Sequence, residues 1–314
     1  MTTDAVYPEL RATRCAICGT LDNSDERWPA TLTPQAFTAE TFSARRVPDR
    51  VHYRMVTCRT CGLVRSDPVL DDAGLAELYE SSTFDYGSEL QSLERTYGEA
   101  LARIEERLGA LPRDGILDIG CGNGFVLDQA LLRGWTGVHG VEPSGDAIDK
   151  ATDAVRPFII KEMMGPGLFE PGSLSAVTLF QTLDHLSDPV PLLEECRRAL
   201  RPGGIILAWN HNIAAVSARV LGERSPIVDV GHTYLYSPDT MRKLFTRAGF
   251  VAPEVQSVRN RYSVRYFAQL VPLPRQLKQP LLHRLKSSRV GSRELRLPLG
   301  NLCLTAETPA NTSA

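Results

Sequence analysis

The sequence has 314 residues, of which 43% are hydrophobic, and a formal net charge of -2 at pH 7. This length exceeds that of one typical compact domain, and the near-neutral charge excludes a global attraction to nucleic acid or to an anionic membrane. No apolar run reaches transmembrane length, and residues 1–10 lack a basic region followed by an apolar one, so we expect a cytoplasmic protein.

Two Cys-x-x-Cys-Gly motifs mark the N-terminal region. Their four thiolates can complete a tetrahedral site with no open position, which is typical of structural zinc. Seven cysteines, an odd number, argue against a disulfide framework. Unliganded thiols and a catalytic redox pair are the less favoured alternatives. The long loop between the motifs predicts a small sheet, with a strand at 52–56. The expected metal ligands are Cys15, Cys18, Cys58 and Cys61.

The stretch from residue 115 to residue 143 carries the clearest pattern. An apolar run at 116–119 predicts a buried strand, and three glycines at alternate positions follow it. Apolar residues at helical spacing predict a helix at 125–132, and a second strand at 136–141 leads to the acid Glu142. Together these features predict the first half of a nucleotide-binding βαβ unit.

The loop does not suit a dinucleotide. Phe125 stands where the pyrophosphate fingerprint needs its third glycine, and Asp118, which we expect at the mouth of the loop, would repel a phosphate. A nucleoside that carries a cation fits better, with Glu142 on the ribose hydroxyls. A structural turn in an unrelated α/β protein is the alternative interpretation.

The run Asp-x-Gly-x-Gly-x-Gly followed by an acid resembles the cofactor motif of class I S-adenosylmethionine-dependent methyltransferases. The resemblance implies an α/β fold with a doubly wound, seven-stranded, mostly parallel sheet, here preceded by a zinc-binding module. It implies S-adenosylmethionine as cofactor, anchored by the first acid through the loop and by the second acid at the ribose. The implied cofactor-binding residues are Asp118, Gly120, Cys121, Gly122, Asn123, Gly124, Glu142, Pro143 and Gln181.

Later segments resemble the same family in the same order. The run at 183–204 is a close match, whereas Leu174 and Ser175 stand where relatives carry Phe-Asp at a strand entry. Together with the cysteine motifs, these segments resemble methyltransferases of polysaccharide and sugar-modifying pathways, and the N-terminal two-thirds of sugar C-methyltransferases. The additional C-terminal domain of the latter is missing here, which favours O-methylation of a saccharide or secondary metabolite over C-methylation.

Further elements are expected along the chain. Short strands at 157–161 and 205–209 and a strand at 174–180 should join the sheet. Helices are expected at 72–80, 88–111, 145–154, 190–200 and 238–248, followed by strands from residue 250 and at 299–306. In methyltransferases of this type the region before the first strand often covers the cofactor. Tyr79, Phe84 and Tyr86 therefore either belong to a lid or fill the joint between two modules.

Methyl transfer from a sulfonium needs aligned reactants, exclusion of water and often the removal of one proton. Histidines at the carboxyl edge of the sheet are the natural bases. We predict His185, His211 and His232 as candidates, with Tyr234 and Tyr236 as hydrogen-bonding alternatives. A structural role is the alternative for each of these side chains.

The segment 259–297 is an insert with ten basic residues against one acid, Glu294. It could lie on an anionic membrane or hold an acidic acceptor, but we favour a solvated face with its leucines packed inward.

Two other function classes stay open: an RNA methyltransferase and a non-catalytic scaffold. The slightly acidic charge and the lack of an aromatic stacking motif disfavour nucleic acid. The expected domains are a zinc-binding module at 1–70, a helical linker or lid at 71–112, a cofactor-binding domain at 113–306 and a tail at 307–314.

Overall fold

The computed structural model describes residues 10–33, 38, 41, 50–71, 74, 90–271, 273–286 and 288–310. Apart from Gly74, the predicted helix at 72–80 lies outside the described residues, as do the aromatic residues Tyr79, Phe84 and Tyr86. The predicted helix at 88–111 is observed as α1, Leu90–Leu108.

A small antiparallel sheet forms the N-terminal region. Its strands β2, β3 and β4 are joined at one edge by β11, a strand from far along the chain. The strand β3 leads into the second cysteine pair, as predicted, although it starts three residues later than expected. A two-stranded sheet of β1 and β5 lies beside it. The bounds are β1 Leu10–Arg11, β2 Ser24–Trp28, β3 Met55–Cys58, β4 Val64–Ser66, β5 Val69–Leu70 and β11 Tyr234–Leu235.

A seven-stranded sheet organises the rest of the described chain, in the order β12-β13-β10-β9-β6-β7-β8. The strands from β10 to β8 run parallel, and β13 is antiparallel to both of its neighbours. This arrangement confirms the predicted doubly wound, mostly parallel sheet. The bounds are β6 Asp114–Ile119, β7 Thr136–Val141, β8 Ile159–Ile160, β9 Leu174–Phe180, β10 Leu200–His211, β12 Val251–Ser263 and β13 Glu294–Glu307.

Helices cover both faces of this sheet, which is why all seven residues of β9 are buried. One face packs against α1 and α2 through Leu101, Ile104 and Leu127, and the other against α4 and α6 through Leu193 and Leu244. The remaining bounds are α2 Phe125–Leu132, α3 Gly145–Asp149, α4 Pro189–Ala199, α5 Val216–Leu221, α6 Pro238–Arg247, α7 Val264–Leu270 and α8 Arg275–Lys286.

Several predicted bounds were wrong at their ends. The helix at 145–154 ends at Asp149, and the strand at 157–161 shrinks to two residues because Arg156–Phe158 forms a 3-10 turn. The strand predicted at 205–209 is longer than expected, because β10 starts at Leu200 and is irregular between Leu200 and Ile205. The last strand starts at Glu294 rather than at residue 299, because it pairs with the extended β12 as far as Ser263.

Candidate active site

A loop of alternating glycines follows β6 and turns through left-handed backbone. At Gly120 and Gly124 φ is 70° and 73°. A Cβ at Gly120 would lie 2.6 Å from Thr182 Oγ1, and one at Gly124 would lie 2.9 Å from Val155 Cγ2. Both positions therefore require glycine for conformation and for space. The loop lies at the carboxyl end of a central strand, where open α/β sheets bind ligands, and its glycines have no side chains that would keep a ligand from the backbone.

The other predicted loop residues take different positions. The Cys121 side chain is buried, and a Cβ added at Gly140 would lie 2.6 Å from its sulfur. The thiol is therefore packed inside the fold rather than displayed at the loop surface. By contrast, Asn123 keeps a buried Oδ1 without a hydrogen-bond partner among the described residues, as expected where a ligand completes the site.

Glu142 ties the glycine loop to the end of β7. One carboxylate oxygen accepts a hydrogen bond from the Gly122 N–H and the other from the Ser144 N–H, each at 2.9 Å. Burial raises the pKa of this carboxyl, and the two backbone donors oppose that shift. Pro143 directly follows Glu142, is half-buried, and leads into α3. The carboxylate is thereby held in one orientation beside the loop.

Asp118 lies inside the sheet, and not at the mouth of the loop as we expected. It occupies the last-but-one position of β6, where successive side chains alternate between the two faces of the strand. Its carboxylate is 1% exposed and accepts a hydrogen bond of 2.6 Å from Thr178 Oγ1 on β9. Burial raises its pKa to about 7, and the nearby Glu142 charge adds to that effect. A fully buried acid that titrates near neutrality is typical of functional sites.

The chain leaves β9 through a strained residue. Gln181 has φ of 57°, which is uncommon for a residue other than glycine and marks stored backbone strain. Its Nε2 donates to Asn301 Oδ1 at 3.0 Å, while its Oε1 has no partner within the described part of the chain. Asn301 in turn donates to the Tyr262 hydroxyl. Asn301 and Tyr262 carry no local sequence signal, because the pairing of β13 with β10 and of β12 with β13 brings them here.

The three predicted histidines do come together. The ring centroids of His185 and His232 are 4.9 Å apart, and those of His211 and His232 are 4.8 Å apart. They surround Asp184, whose carboxylate is fully buried. The Nε2 atoms of His185 and His232 lie 3.9 Å and 4.0 Å from its two oxygens. We call these four residues, His185, His211, His232 and Asp184, the Asp–His cluster.

Asp184 was not among the predicted site residues. Its position beside His185 at the end of a predicted strand was the signal available in the sequence. The three imidazoles hold the pKa of its carboxyl below the ordinary value although burial opposes this, while burial lowers the pKa of His185. At neutral pH the cluster therefore combines an ionised carboxylate with a neutral His185.

The structure does not bring the Tyr234 hydroxyl to the Asp–His cluster. This hydroxyl lies within hydrogen-bonding distance of the Arg14 and Ser187 carbonyl oxygens, at 2.8 Å and 3.1 Å, and the side chain is buried. Tyr236 likewise donates to the Leu183 carbonyl. The contacts observed for both tyrosines join parts of the fold, and a catalytic role for Tyr234 stays a prediction.

Further buried polar atoms lie near the carboxyl end of β10. Asn210 is fully buried, and among the described residues neither its Oδ1 nor its Nδ2 has a hydrogen-bond partner. The Trp209 indole Nε1 is also buried and has no hydrogen-bond partner among the described residues. Unpaired buried polar groups are costly unless a ligand or water completes them. This part of the sheet edge therefore suits a hydroxyl-bearing ligand.

The glycine loop after β6 and the Asp–His cluster are neighbours. Thr182 lies against Gly120 and donates to the Ile119 carbonyl at 2.9 Å. Asp184 follows only two residues later, so its Cα lies within about 7 Å of the Thr182 Cα. A ligand on the glycine loop and a second ligand at the cluster can therefore meet at one edge of the sheet.

The four predicted metal ligands converge. Their sulfur atoms all lie within 4.8 Å of one another, with Cys15 and Cys61 at 3.4 Å and Cys18 and Cys58 at 3.9 Å. Sulfur atoms around tetrahedral zinc are about 3.8 Å apart, so the donor set fits this ion. The glycine after each pair, Gly19 and Gly62, has positive φ, as the predicted turn requires.

The basic insert is observed as the outer ends of β12 and β13 with α7 and α8 between them. Arg261 and Arg296 pair with Glu99 of α1, at 2.5 Å and 2.7 Å. The prediction that its leucines pack inward was wrong in part, because Leu277 is 64% exposed. Leu273 and Leu281 are exposed as well. Within the described ranges, no helix is both long enough and apolar enough to cross a bilayer.

Comparisons with known proteins agree with this geometry. A family model described as a methyltransferase domain matches residues 90–255. The ubiquinone biosynthesis O-methyltransferase of Xanthomonas campestris pv. campestris (strain B100) is 28% identical over 121 residues, which cover 36% of this chain and 50% of that protein. The protein of the same name from Paracidovorax citrulli is 30% identical over 166 residues, which cover 49% of this chain and 68% of that protein. The chain thus spans about half the length of the first of these relatives.

Among solved structures, a SAM-dependent methyltransferase from Archaeoglobus fulgidus has a TM-score of 0.44 at 18% identity, covering 76% of this chain and 100% of its own. A phosphoethanolamine N-methyltransferase 2 from Haemonchus contortus, in complex with S-adenosyl-L-methionine, has a TM-score of 0.43 at 19% identity and covers 71% and 58%.

The family model covers more than half of the chain. The chain therefore belongs to the methyltransferase domain family, in the class I, S-adenosylmethionine-dependent group, as the sequence motifs implied. Its seven-stranded sheet, with one antiparallel strand next to the edge, is the fold of that group.

Proposed function

We propose that the protein transfers a methyl group from S-adenosylmethionine to a hydroxyl oxygen of a small acceptor. The observation that carries this proposal is the contact of Thr182 with Gly120, which places the donor loop and the Asp–His cluster side by side. The relatives named above as O-methyltransferases support transfer to oxygen.

Donor binding follows from the buried acids. The cofactor supplies an electrophilic methyl group on a positively charged sulfur. Glu142 is held by two backbone donors beside the loop, where it can accept hydrogen bonds from ribose hydroxyls. When Asp118 is ionised, which its pKa of about 7 confines to neutral and higher pH, it adds a negative charge behind the loop that favours a cationic ligand over a phosphate.

The acceptor must lie in line with the methyl–sulfur bond and lose a proton as the new bond forms. The Asp–His cluster is the proton-accepting group in this proposal. The Nδ1 atoms of His185 and His232 face the carbonyl oxygens of Gly231 and Ile227, at 2.7 Å and 2.9 Å. These bonds hold both rings with Nε2 toward Asp184. His211 is half-buried at the end of β10, and we propose it as the base to test first.

The unpaired polar atoms of Asn210 and Gln181 support the acceptor class that we propose. Buried amides that need partners suit an acceptor with several hydroxyl groups, and a saccharide meets that need. A phenolic acceptor is the second candidate, because the relatives carry the name ubiquinone biosynthesis O-methyltransferase.

We further infer that the region 1–70 binds one structural zinc ion through Cys15, Cys18, Cys58 and Cys61. Four thiolates leave no position for a substrate, so the ion would stabilise the fold and take no part in methyl transfer.

The proposal is tested with cofactor labelled in its methyl group and two acceptor panels, one of saccharides and one of phenols. We expect labelled methyl ethers, and the panel that is labelled decides between the two acceptor classes. The His211→Gln variant should bind cofactor normally and lose at least about tenfold in turnover, the lower range for general base catalysis. Label on carbon or nitrogen, or full activity of this variant, would contradict the proposal.

A further inference from the structure

The Asp–His cluster has the composition of a metal site as well as that of a base. We infer that Asp184, His211 and His232 bind a divalent transition-metal ion at the carboxyl edge of the sheet, separate from the cysteine site. One ligand atom from each of the three lies within 4.8 Å of the other two. Two ligands of one tetrahedral ion are about 3.4 Å apart, so small side-chain rotations close the site.

The histidine orientations are those of metal ligands. In metal sites, a ligating imidazole donates its second N–H to a carbonyl or carboxylate, which fixes the tautomer and presents the other nitrogen to the ion. His232 Nδ1 lies 2.9 Å from the Ile227 carbonyl, and its Nε2 is turned toward Asp184. His185 is held in the same way by the Gly231 carbonyl. At 3.9–4.0 Å from the carboxylate, these Nε2 atoms are too far away for hydrogen bonds.

The charge of the cluster calls for a cation. Asp184 is 0% exposed, and within the described chain neither carboxylate oxygen has a hydrogen-bond partner. A buried carboxylate without hydrogen bonds is strongly destabilising unless it is paired or coordinates a metal. The described ionisable groups that interact with it are the three histidines and the phenol of Tyr236, and Asp229 adds a second negative charge near His185. An ion between Asp184, His211 and His232 would pair the buried carboxylate charge with a cation and use the imidazole nitrogens as its other ligands.

The donor set selects the class of ion. Two imidazoles and one carboxylate suit Zn²⁺, Fe²⁺, Mn²⁺ or Co²⁺ rather than Ca²⁺, which prefers oxygen ligands alone. Three protein ligands also leave at least one coordination position open. If the proposed methyl transfer is right, the acceptor hydroxyl would be polarised at that position and lose its proton to water there, and His211 would then act as a ligand of the ion instead of as the base. The metal site itself does not depend on that function.

Cobalt is the probe, because Co²⁺ bound to nitrogen and oxygen absorbs visible light, whereas Co²⁺ bound to cysteines adds a thiolate charge-transfer band. The full chain is first loaded with one equivalent of Zn²⁺ to fill the cysteine site, since thiolates prefer this ion to Co²⁺. It is then titrated with Co²⁺. We expect one further equivalent to bind with visible absorption and without the charge-transfer band.

Variants separate this site from adventitious binding. Asp184→Asn and His211→Gln should each weaken Co²⁺ binding by more than about 100-fold, above the range for residues that only orient ligands. His185→Gln should weaken it by about 10- to 100-fold, as such an orienting residue does. His139→Gln changes a half-buried histidine that packs on Phe169, outside the cluster, and should leave binding unchanged.

Circular dichroism checks that each variant is folded, and His211→Gln, at the more accessible edge, stands in if Asp184→Asn fails to fold. The inference would be overturned if no second equivalent of Co²⁺ binds, or if the second equivalent shows only the thiolate band. Wild-type affinity in folded Asp184→Asn or folded His211→Gln would overturn it as well. None of these readouts uses methyl transfer, so failure of the methyltransferase assay alone leaves the metal site standing.

Discussion

At the scale of single residues, Asp118 is the group whose chemistry the sequence could least reveal. Its position in the motif predicted a cofactor contact, but its burial and its bond to Thr178 depend on the neighbouring strand. The raised pKa follows from that burial. A motif thus identifies the residue, whereas the ionisation state depends on contacts with residues about 60 positions away.

The Asp118→Asn variant should be more stable than the wild type at pH 8 in the absence of cofactor. An acid whose pKa rises from about 4 in the unfolded chain to about 7 in the folded chain lowers stability as pH rises through that window. The variant cannot ionise, so its advantage should appear above about pH 4 and reach on the order of 3 kcal/mol above pH 7. Chemical denaturation of both proteins at pH 5 and pH 8 measures this difference in the free energy of unfolding.

The same variant should bind S-adenosylmethionine at least about tenfold more weakly at pH 8, because the buried negative charge behind the loop, which attracts the cation, is lost. In the wild type, affinity should rise with pH through about 7, and in the variant it should not. Equal affinity of the two proteins at pH 8 would show that Asp118 does not face the cofactor.

Glycine positions give a second test at this scale, with a matched control. Gly120 and Gly134 both have positive φ, so alanine costs about 1–2 kcal/mol of stability at either. A Cβ at Gly120 would also lie 2.6 Å from Thr182 Oγ1, whereas no described atom lies within 4 Å of one at Gly134. Gly120→Ala should therefore also lose cofactor affinity, by more than about tenfold, because the Thr182 contact must open. Titration calorimetry measures the cofactor affinity of both variants. Wild-type affinity of Gly120→Ala would contradict this account of the loop.

At the scale of elements, the sequence predicted those with local signals. The helix α2, the strand β7 and the strand β9 match their predicted bounds, because apolar periodicity and flanking glycines define them. The bounds of β12 and β13 were missed, since their length comes from pairing with each other. The addition of β11 to the N-terminal sheet was also missed, because no local pattern links residue 234 with residue 65.

The helix α8 combines exposed leucines with basic residues. It exposes Leu277 and Leu281 and bears Lys278, Arg284 and Lys286, the composition of a helix that lies on an anionic surface. We predict that the protein sediments with vesicles that contain phosphatidylserine and not with neutral vesicles. Each basic residue near such a surface contributes about 1 kcal/mol.

The doubly substituted variant Leu277→Glu with Leu281→Glu should lose this binding, and its matched control is Leu132→Glu, an exposed leucine on α2. Binding that survives in the double variant, or that is lost equally in the control, would remove α8 as a membrane contact. The alternative in which the insert lies on a membrane would then have no support from this helix.

At the scale of the whole molecule, the two regions are more closely joined than the sequence suggested. Cys15, Cys58 and Leu63 lie in the same hydrophobic cluster as Met241 and Phe245 of the sheet domain. The strand β4 pairs with β11, and Arg247 donates to the Ile17 carbonyl at 2.5 Å. The region that carries the four cysteines thus supports the segment that carries His232.

Cys58→Ser should therefore destabilise the whole chain and not only its N-terminal region. We expect loss of zinc, measured by emission spectroscopy, and a fall of more than about 3 kcal/mol in the free energy of unfolding, a fraction of what zinc contributes to isolated zinc fingers. Thr60→Ala, an exposed substitution in the same motif, should change neither quantity. A variant that loses zinc while the sheet domain melts at the wild-type temperature would show that the two regions are independent.

The central claim is that the loop after β6 holds S-adenosylmethionine, and titration calorimetry tests it most directly. Zinc-loaded wild-type protein should give saturable heat with one S-adenosylmethionine per chain, weakened more than about tenfold in the Gly120→Ala variant, and no saturable heat with NAD⁺. Folded protein that gives no saturable heat with S-adenosylmethionine, or that binds NAD⁺ as well, would contradict the account.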